Sequence, residues 1–202
     1  MLLQELLKGK KLILASKSPR RRELLKGLDV DFEIWDTNHD DEEQYPTNLP
    51  LHDVPVYLAR HKASLFTHRL TDKTILITCD TVVICCNQIL GKPKDEAEAR
   101  LILSVLSNKV HTVITGVCLK SATLERVFNV STDVFFKRLT TEEIDYYLLK
   151  YKPYDKAGAY GIQEWIGFIG VERIDGSYFN VMGLPVQNLH EQLIAFARSM
   201  SK

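Results

Sequence analysis

Three short stretches carry residue types that could do chemistry. In LASKSPRRRELL, from Leu14 to Leu25, an apolar run ends in Ser16, Ser18 and three consecutive arginines, Arg20 to Arg22. Arginines crowded into a first helical turn sit where the backbone dipole is already positive. Free backbone N–H groups there, the two hydroxyls, and the forked guanidinium groups of Arg20 and Arg21 would together suit phosphate oxygens. A capped helix with solvated arginines accounts for the same residues. In CDTVV, Cys79 to Val83, the carboxylate of Asp80 interrupts an apolar run. Such a charge needs a metal, a basic partner or water. Either the strand bends and exposes Asp80, or Asp80 lines a cleft to which Lys92 returns after a turn; the second reading is taken. In YDKAGAYGIQ, Gly158 and Gly161 permit close approach of backbone to a ligand, and Gln163 can donate and accept at once, which suits a nucleobase edge. Loops of small residues are common, so this stretch alone is weak.

The elements that must position these residues read as an alternation of helices and strands. A short leucine-rich helix precedes a buried strand over Lys11 to Ser16. Ser18 then caps a helix with Pro19 at its first position, running to about Gly27. A second short strand covers Asp31 to Trp35, and an acidic, polar loop covers Asp36 to about His52. Asp53 caps a helix over Pro55 to Arg69. Thr74 to Cys86 is a long β-rich run, with Asn87-Gln88 as the turn before Ile89 to Gly91. Asp95 with Glu98, and Thr140 with Glu143, are capping-box signatures opening helices to about Leu106 and Leu149. Strands over Val110 to Lys120 and Glu125 to Lys137 flank an SATL turn. Phe168 to Ile174 reads as a strand, and a last helix starts near Pro185. This order predicts an α/β fold with a long mixed sheet. No repeat or linker divides the chain, so residues 1–202 are read as a single domain.

Composition narrows the classes. The chain has 202 residues, 45% hydrophobic and 26% charged, with 26 basic and 26 acidic residues and no net charge. A neutral chain without a basic stripe argues against nucleic acid as a partner, so phosphate recognition has to be local. Four cysteines without a CxxC pair read as thiols in a reducing compartment, and no apolar run is long enough to span a membrane. The expected location is cytoplasmic. The six histidines show no metal-ligand spacing. Trp35 and Trp165 read as packing residues.

The motifs LASKSPRRRELL, CDTVV with GKPKD, FFKRLTTEEI, YDKAGAYGIQ and DGSYFNVMGLP occur in an order that resembles the Maf family of nucleoside triphosphate pyrophosphatases, from Leu12 to about Leu193. The resemblance implies an elongated mixed β-sheet flanked by helices, with two lobes around a central cleft, as in inosine triphosphatases. It implies hydrolysis between the α- and β-phosphates of a nucleoside triphosphate, with a divalent cation, Mg or Mn, as cofactor, and a homodimer as the family's expected state. Residue by residue, it implies phosphate binding by Ser16, Ser18, Arg20, Arg21, Lys62 and Lys92. Asp80 takes the proton-acceptor position, and Glu33 and Asp80 are the acidic positions expected to hold the metal. The DKAGAYGIQ segment resembles the branch acting on dTTP and UTP, whose specificity positions correspond to Arg21, Thr81 and Gln163.

Thr78 and Cys79 depart from that pattern, standing where the family commonly has Gly-Ala, as do Lys17 in place of a small residue and Glu164 in place of glycine. The expected reaction has Asp80 orienting and deprotonating the attacking water while the basic residues stabilise the departing pyrophosphate. A nucleotide-binding regulator of cell division with incidental turnover is the alternative.

Overall fold

The structure, a computed structural model, describes residues 1–37 and 45–200. The expected loop over Asp36 to His52 therefore lies partly outside the described residues. In chain order the elements are α1 (Leu3–Leu6), β1 (Lys11–Ala15), α2 (Pro19–Lys26), β2 (Glu33–Trp35), α3 (Val54–Ser64), β3 (Thr74–Cys85), β4 (Gln88–Leu90), α4 (Glu96–Leu106), β5 (Val110–Lys120), β6 (Glu125–Phe136), α5 (Thr141–Tyr151), α6 (Trp165–Gly170), β7 (Val171–Asp175), α7 (Tyr178–Val181) and α8 (Val186–Ser199), with 3₁₀ turns at Thr67–Arg69 and Ala157–Ala159. The strands form one seven-stranded sheet in the order β2-β1-β3-β5-β6-β7, with β4 paired to β3. β1 runs parallel to both β2 and β3, whereas β3–β4 and β6–β7 are antiparallel. The sheet is thus mixed and flanked by helices.

Contacts divide the chain into two compact units. The first comprises Met1–Asp80, Thr115–Val130 and Gly183–Lys202, and the second comprises Thr81–Ile114 and Ser131–Met182. In the first unit, Ile13, Ala15, Leu76 and Cys118 from the strands bury against Ala59, Ala63 and Phe66. Helix α8 shows the helical period clearly, burying Leu189, Leu193, Phe196 and Ala197. In the second unit, Ala99, Ile102, Leu103 and Leu106 of α4 pack with Ile144, Tyr147 and Leu148 of α5, Val134 and Phe136 of β6, and Ile166. Each fully buried leucine of this kind contributes about 1.5–3 kcal/mol.

Local signals account for most boundaries. The Ser18 hydroxyl accepts from the Arg21 N–H at 3.5 Å with Pro19 in the first turn, Asp95 accepts from Glu98 N at 2.8 Å, and Thr140 and Glu143 form a reciprocal capping box. Three expectations are corrected. Helix α3 ends at Ser64, and Asp53 makes no side-chain cap. The β3–β4 turn falls on Cys86-Asn87, one residue early, with φ of 52° and 59° at the two positions. Gln88 already belongs to β4 and pairs with Cys85. Finally, Phe168 to Gly170 are helical. The Gly167 N–H donates to the Glu164 carbonyl at 2.8 Å, and Ile166 and Gly170, one turn apart, form the buried face while Phe168 is 81% exposed. A Cβ at position 167 would come within 1.8 Å of the Ile162 carbonyl oxygen, so only glycine admits this helix start.

Candidate active site

Asp80 lies midway along β3, between buried Cys79 and buried Val82 and Val83, and is almost wholly buried, its side chain 4% exposed. Burial of a carboxylate among Ile75, Leu76, Ile77 and Cys79 requires compensation. Lys62 supplies it: its ammonium group donates to the Asp80 carboxylate in a close ion pair. The two residues are brought together by helix α3 and strand β3. Thr78, two positions before Asp80 and on the same face of the strand, donates its hydroxyl to the Ala59 carbonyl at 2.6 Å. Ala59 is one helical turn before Lys62, so this bond sets the height of α3 on the sheet. At its other end the helix presses onto Gly116 of β5, where a Cβ would come within 2.3 Å of Pro55 and Val56 backbone atoms. Glycine is required there because backbone meets backbone.

One member of the arginine cluster, Arg21, reaches the residue before Asp80. The Arg21 guanidinium donates from Nη1 to the Cys79 carbonyl at 3.0 Å and from Nε to the Gly183 carbonyl at 2.9 Å. Arg21 therefore grips the residue immediately before Asp80. Cys79 reports the same electrostatics: burial pushes its thiol above the ordinary range, while Arg21 and Lys62 pull it down. Arg22 donates to the Ser16 carbonyl at 3.2 Å, and the Ser16 hydroxyl accepts from Ser18 N at 3.2 Å. The turn between β1 and α2 is held internally by these bonds, with Arg20 half-buried in the first turn of the helix. Ser16, Ser18, Arg20, Arg21, Lys62 and Asp80 all belong to the first unit.

Glu33 does not join them. Its partner across the β1–β2 register is Ile13, which in turn pairs with Leu76, four positions before Asp80. With about 3.3 Å per residue along a strand and about 4.8 Å between strands, the Glu33 and Asp80 Cα atoms stand roughly 16 Å apart. Glu33 is more than half exposed and pairs with Lys11 at 3.5 Å. The expected sharing of one metal by these two carboxylates is at odds with this spacing. Among the described residues no group of three or more His, Cys, Asp or Glu side chains converges. Of the two acidic residues expected to hold a metal, Asp80 is the one beside Lys62; hard cations of the magnesium kind take one or two carboxylates and complete their shell with substrate phosphates and water.

Thr81, Lys92 and Gln163 belong to the second unit. Thr81 is half-buried on β3, and Lys92 is exposed in the segment after β4. Gln163 occupies the third position of a turn in which the Glu164 N–H donates to the Gly161 carbonyl at 2.9 Å. Gly158 of this loop is required: it has φ of +72° and abuts the Val83 side chain. Sequence reasoning missed Gly183 and Gly116, whose roles depend on partners distant in the chain. It also missed the buried Lys156, and no local signal marks it.

The Maf-like protein family matches residues 11–196. A protein of Parabacteroides distasonis named dTTP/UTP pyrophosphatase is 52% identical over 192 residues, spanning 95% of this chain and 99% of its own length. Relatives of the same name from Porphyromonas gingivalis and Flavobacterium johnsoniae are 51% and 48% identical, covering 96% and 95% of this chain and 98% of their own length. Among solved structures, a nucleoside-triphosphatase / dITP/XTP pyrophosphatase from Mycobacterium abscessus aligns over 95% of this chain and 97% of its own, with a TM-score of 0.43 and 17% identity. The chain belongs to the family of Maf-like proteins.

Proposed function

We propose that this protein hydrolyses dTTP and UTP to the nucleoside monophosphate and pyrophosphate. The observation that carries the reading is the buried Asp80 carboxylate paired with Lys62, beside the Arg21-gripped Cys79 carbonyl. A carboxylate with two cations fixed near it can accept a proton while its neighbours hold negative charge, which hydrolysis of a polyanion requires. The relatives' names support the pyrimidine triphosphate as substrate.

A triphosphate brings about four negative charges near neutral pH. Ser16, Ser18, Arg20, Arg21 and Lys62 are proposed to bind its phosphates, together with Lys92. Lys62, whose side chain is 29% exposed, can shift from the Asp80 carboxylate to a phosphate oxygen and so turn Asp80 toward water. Asp80 takes the proton of that water as its oxygen bonds to the α-phosphorus. The bond from the α-phosphorus to the bridging oxygen breaks, and its electron pair leaves with pyrophosphate. Arg21 keeps the Cys79 carbonyl in place throughout, which holds Asp80 in line. A magnesium or manganese ion, bound by Asp80 and the substrate phosphates, would add charge neutralisation at the phosphates. Thr81 and Gln163 are proposed to contact the base. A cytoplasmic location is consistent with the four free cysteines, three of them buried, and no helix among the described residues is long and apolar enough to cross a membrane.

The test is product analysis with UTP and dTTP in the presence of magnesium or manganese. Wild-type protein is expected to release pyrophosphate and monophosphate, and Asp80→Asn to lose at least about a thousandfold in kcat while still binding nucleotide. Nucleoside diphosphate with inorganic phosphate as products, or full turnover by a folded Asp80→Asn protein, refutes the reading. Tight nucleotide binding without any product would instead favour a non-catalytic regulator.

A further inference from the structure

The turn that carries Gln163 is fastened from beneath by a buried polar network in the second unit. Tyr147 of α5, fully buried, accepts the Gly161 N–H at 3.1 Å and donates its own hydroxyl to the Glu164 carboxylate in a close hydrogen bond. Gly161 and Glu164 are the first and last residues of the turn, closed by the 2.9 Å bond between Glu164 N and the Gly161 carbonyl. One phenol thus holds both ends of the four-residue segment whose third member is Gln163. Glu164 is in turn neutralised by Lys156, 3.2 Å away, whose side chain is 9% exposed and also contacts Asp155 at 2.7 Å.

The amide of Gln163 lies against this network. A Cβ placed on Gly161 would meet the Glu164 carboxyl carbon at 2.8 Å and the Gln163 amide nitrogen at 3.2 Å. Both side chains therefore fold over the same glycine. Glu164 precedes helix α6 in the N-cap position but makes no side-chain bond to that helix. Its carboxylate turns back to Tyr147 and Lys156 instead. Burial and the adjacent Glu164 carboxylate raise the Tyr147 phenol above its ordinary range, so it stays protonated as the donor the network needs.

We propose that Tyr147, Glu164 and Lys156 are positioning residues that fix the Gln163 amide over Gly161 and thereby set the discrimination between pyrimidine and purine triphosphates. The inference rests on the proposed base-reading role of Gln163. A side-chain amide held in one orientation presents its donor and acceptor in a fixed order. The same amide on a loosened turn can rotate and loses that discrimination. Tyr147→Phe removes both phenol bonds while keeping the ring against Tyr151, from which it stands 5.1 Å, centroid to centroid. Glu164→Gln keeps an acceptor for Tyr147 but removes the charge facing Lys156.

The experiment measures kcat and KM of wild type, Tyr147→Phe and Glu164→Gln on UTP, dTTP and GTP. For Tyr147→Phe the expected result is a KM for UTP and dTTP raised about five- to tenfold, the amount that one or two hydrogen bonds convert to, with kcat within about twofold. The UTP-to-GTP ratio of kcat/KM should fall by a similar factor. Glu164→Gln should move the ratio in the same direction by a smaller factor, and it remains informative if Tyr147→Phe does not fold. A uniform loss on all three nucleotides, or unchanged ratios in a folded variant, overturns the inference and leaves the proposed activity standing. Wild type that turns over neither UTP nor dTTP removes the activity, and the inference with it.

Discussion

Replacing Lys62 by methionine keeps the stem of the side chain and deletes the charge that faces Asp80. The cost follows from unequal burial. Asp80 is 4% exposed in its side chain and Lys62 29%. Two unit charges about 4 Å apart at an effective dielectric constant near 20 attract by about 4 kcal/mol, and desolvation offsets part of that. Removing Lys62 leaves a buried carboxylate, offset in part by Arg21 on the neighbouring Cys79 carbonyl. A loss of about 3 kcal/mol is expected, which lowers Tm by roughly 6–12 °C in a chain of this size. Asp80→Asn leaves instead a lysine that can turn toward water, so its cost should be smaller by about 1–2 kcal/mol. Urea unfolding of both single variants and the double variant closes a cycle whose coupling is expected near 2 kcal/mol. Equal single costs with coupling below about 0.5 kcal/mol would show that the pair is not the compensation for burying Asp80, and the site as built here would fall.

Two further outcomes test other parts of the structure. His111, 1% exposed, shares a 2.8 Å hydrogen bond with the Tyr160 hydroxyl and packs edge-on to Phe136; burial lowers its pKa to about 4. The unfolded chain takes up that proton below about pH 6.5 and the folded chain only near 4, so stability should fall by up to roughly 3 kcal/mol as pH drops through this window. Urea midpoints of wild type and His111→Gln across pH 4–7 check this, and parallel curves refute it. Gly116→Ala should cost more than about 3 kcal/mol, because its methyl group meets backbone of α3 at 2.3 Å with no side chain able to yield. A thermal melt within about 2 °C of wild type would contradict the close approach.

The fold was legible where its signals are local. Ser18-Pro19, Asp95 with Glu98, and Thr140 with Glu143 act within one helical turn, and the structure uses all three pairs near the expected positions. The SATL turn between β5 and β6 is similarly self-contained, with the Ser121 hydroxyl accepting from Leu124 N at 3.0 Å. Expectation failed where a segment's own preference opposed a contact set elsewhere. Trp165 to Gly170 is β-prone by composition, yet Gly167 fits under the Ile162 carbonyl and the segment coils. Cys86-Asn87 lacks the glycine that ordinarily marks a two-residue hairpin turn, so positive φ at both positions left no signature.

The site separates along the same line. A helix start rich in arginine was visible in twelve residues, and so was an acid inside an apolar run. That Lys62 answers Asp80, or that Arg21 reaches the Gly183 carbonyl 162 positions away, is fixed only by how α2, α3 and β3 pack. Spacing could not have separated Glu33 from Asp80 either; the register of three parallel strands does so. The Thr78-Cys79 departure from the family's small residues falls on the two positions where β3 is gripped. Thr78 uses its side chain, which glycine lacks, to tie the strand to the helix carrying Lys62, whereas Cys79 uses only a carbonyl that any residue would provide. Of the two substitutions, the one at position 78 therefore adds a constraint on the ion pair.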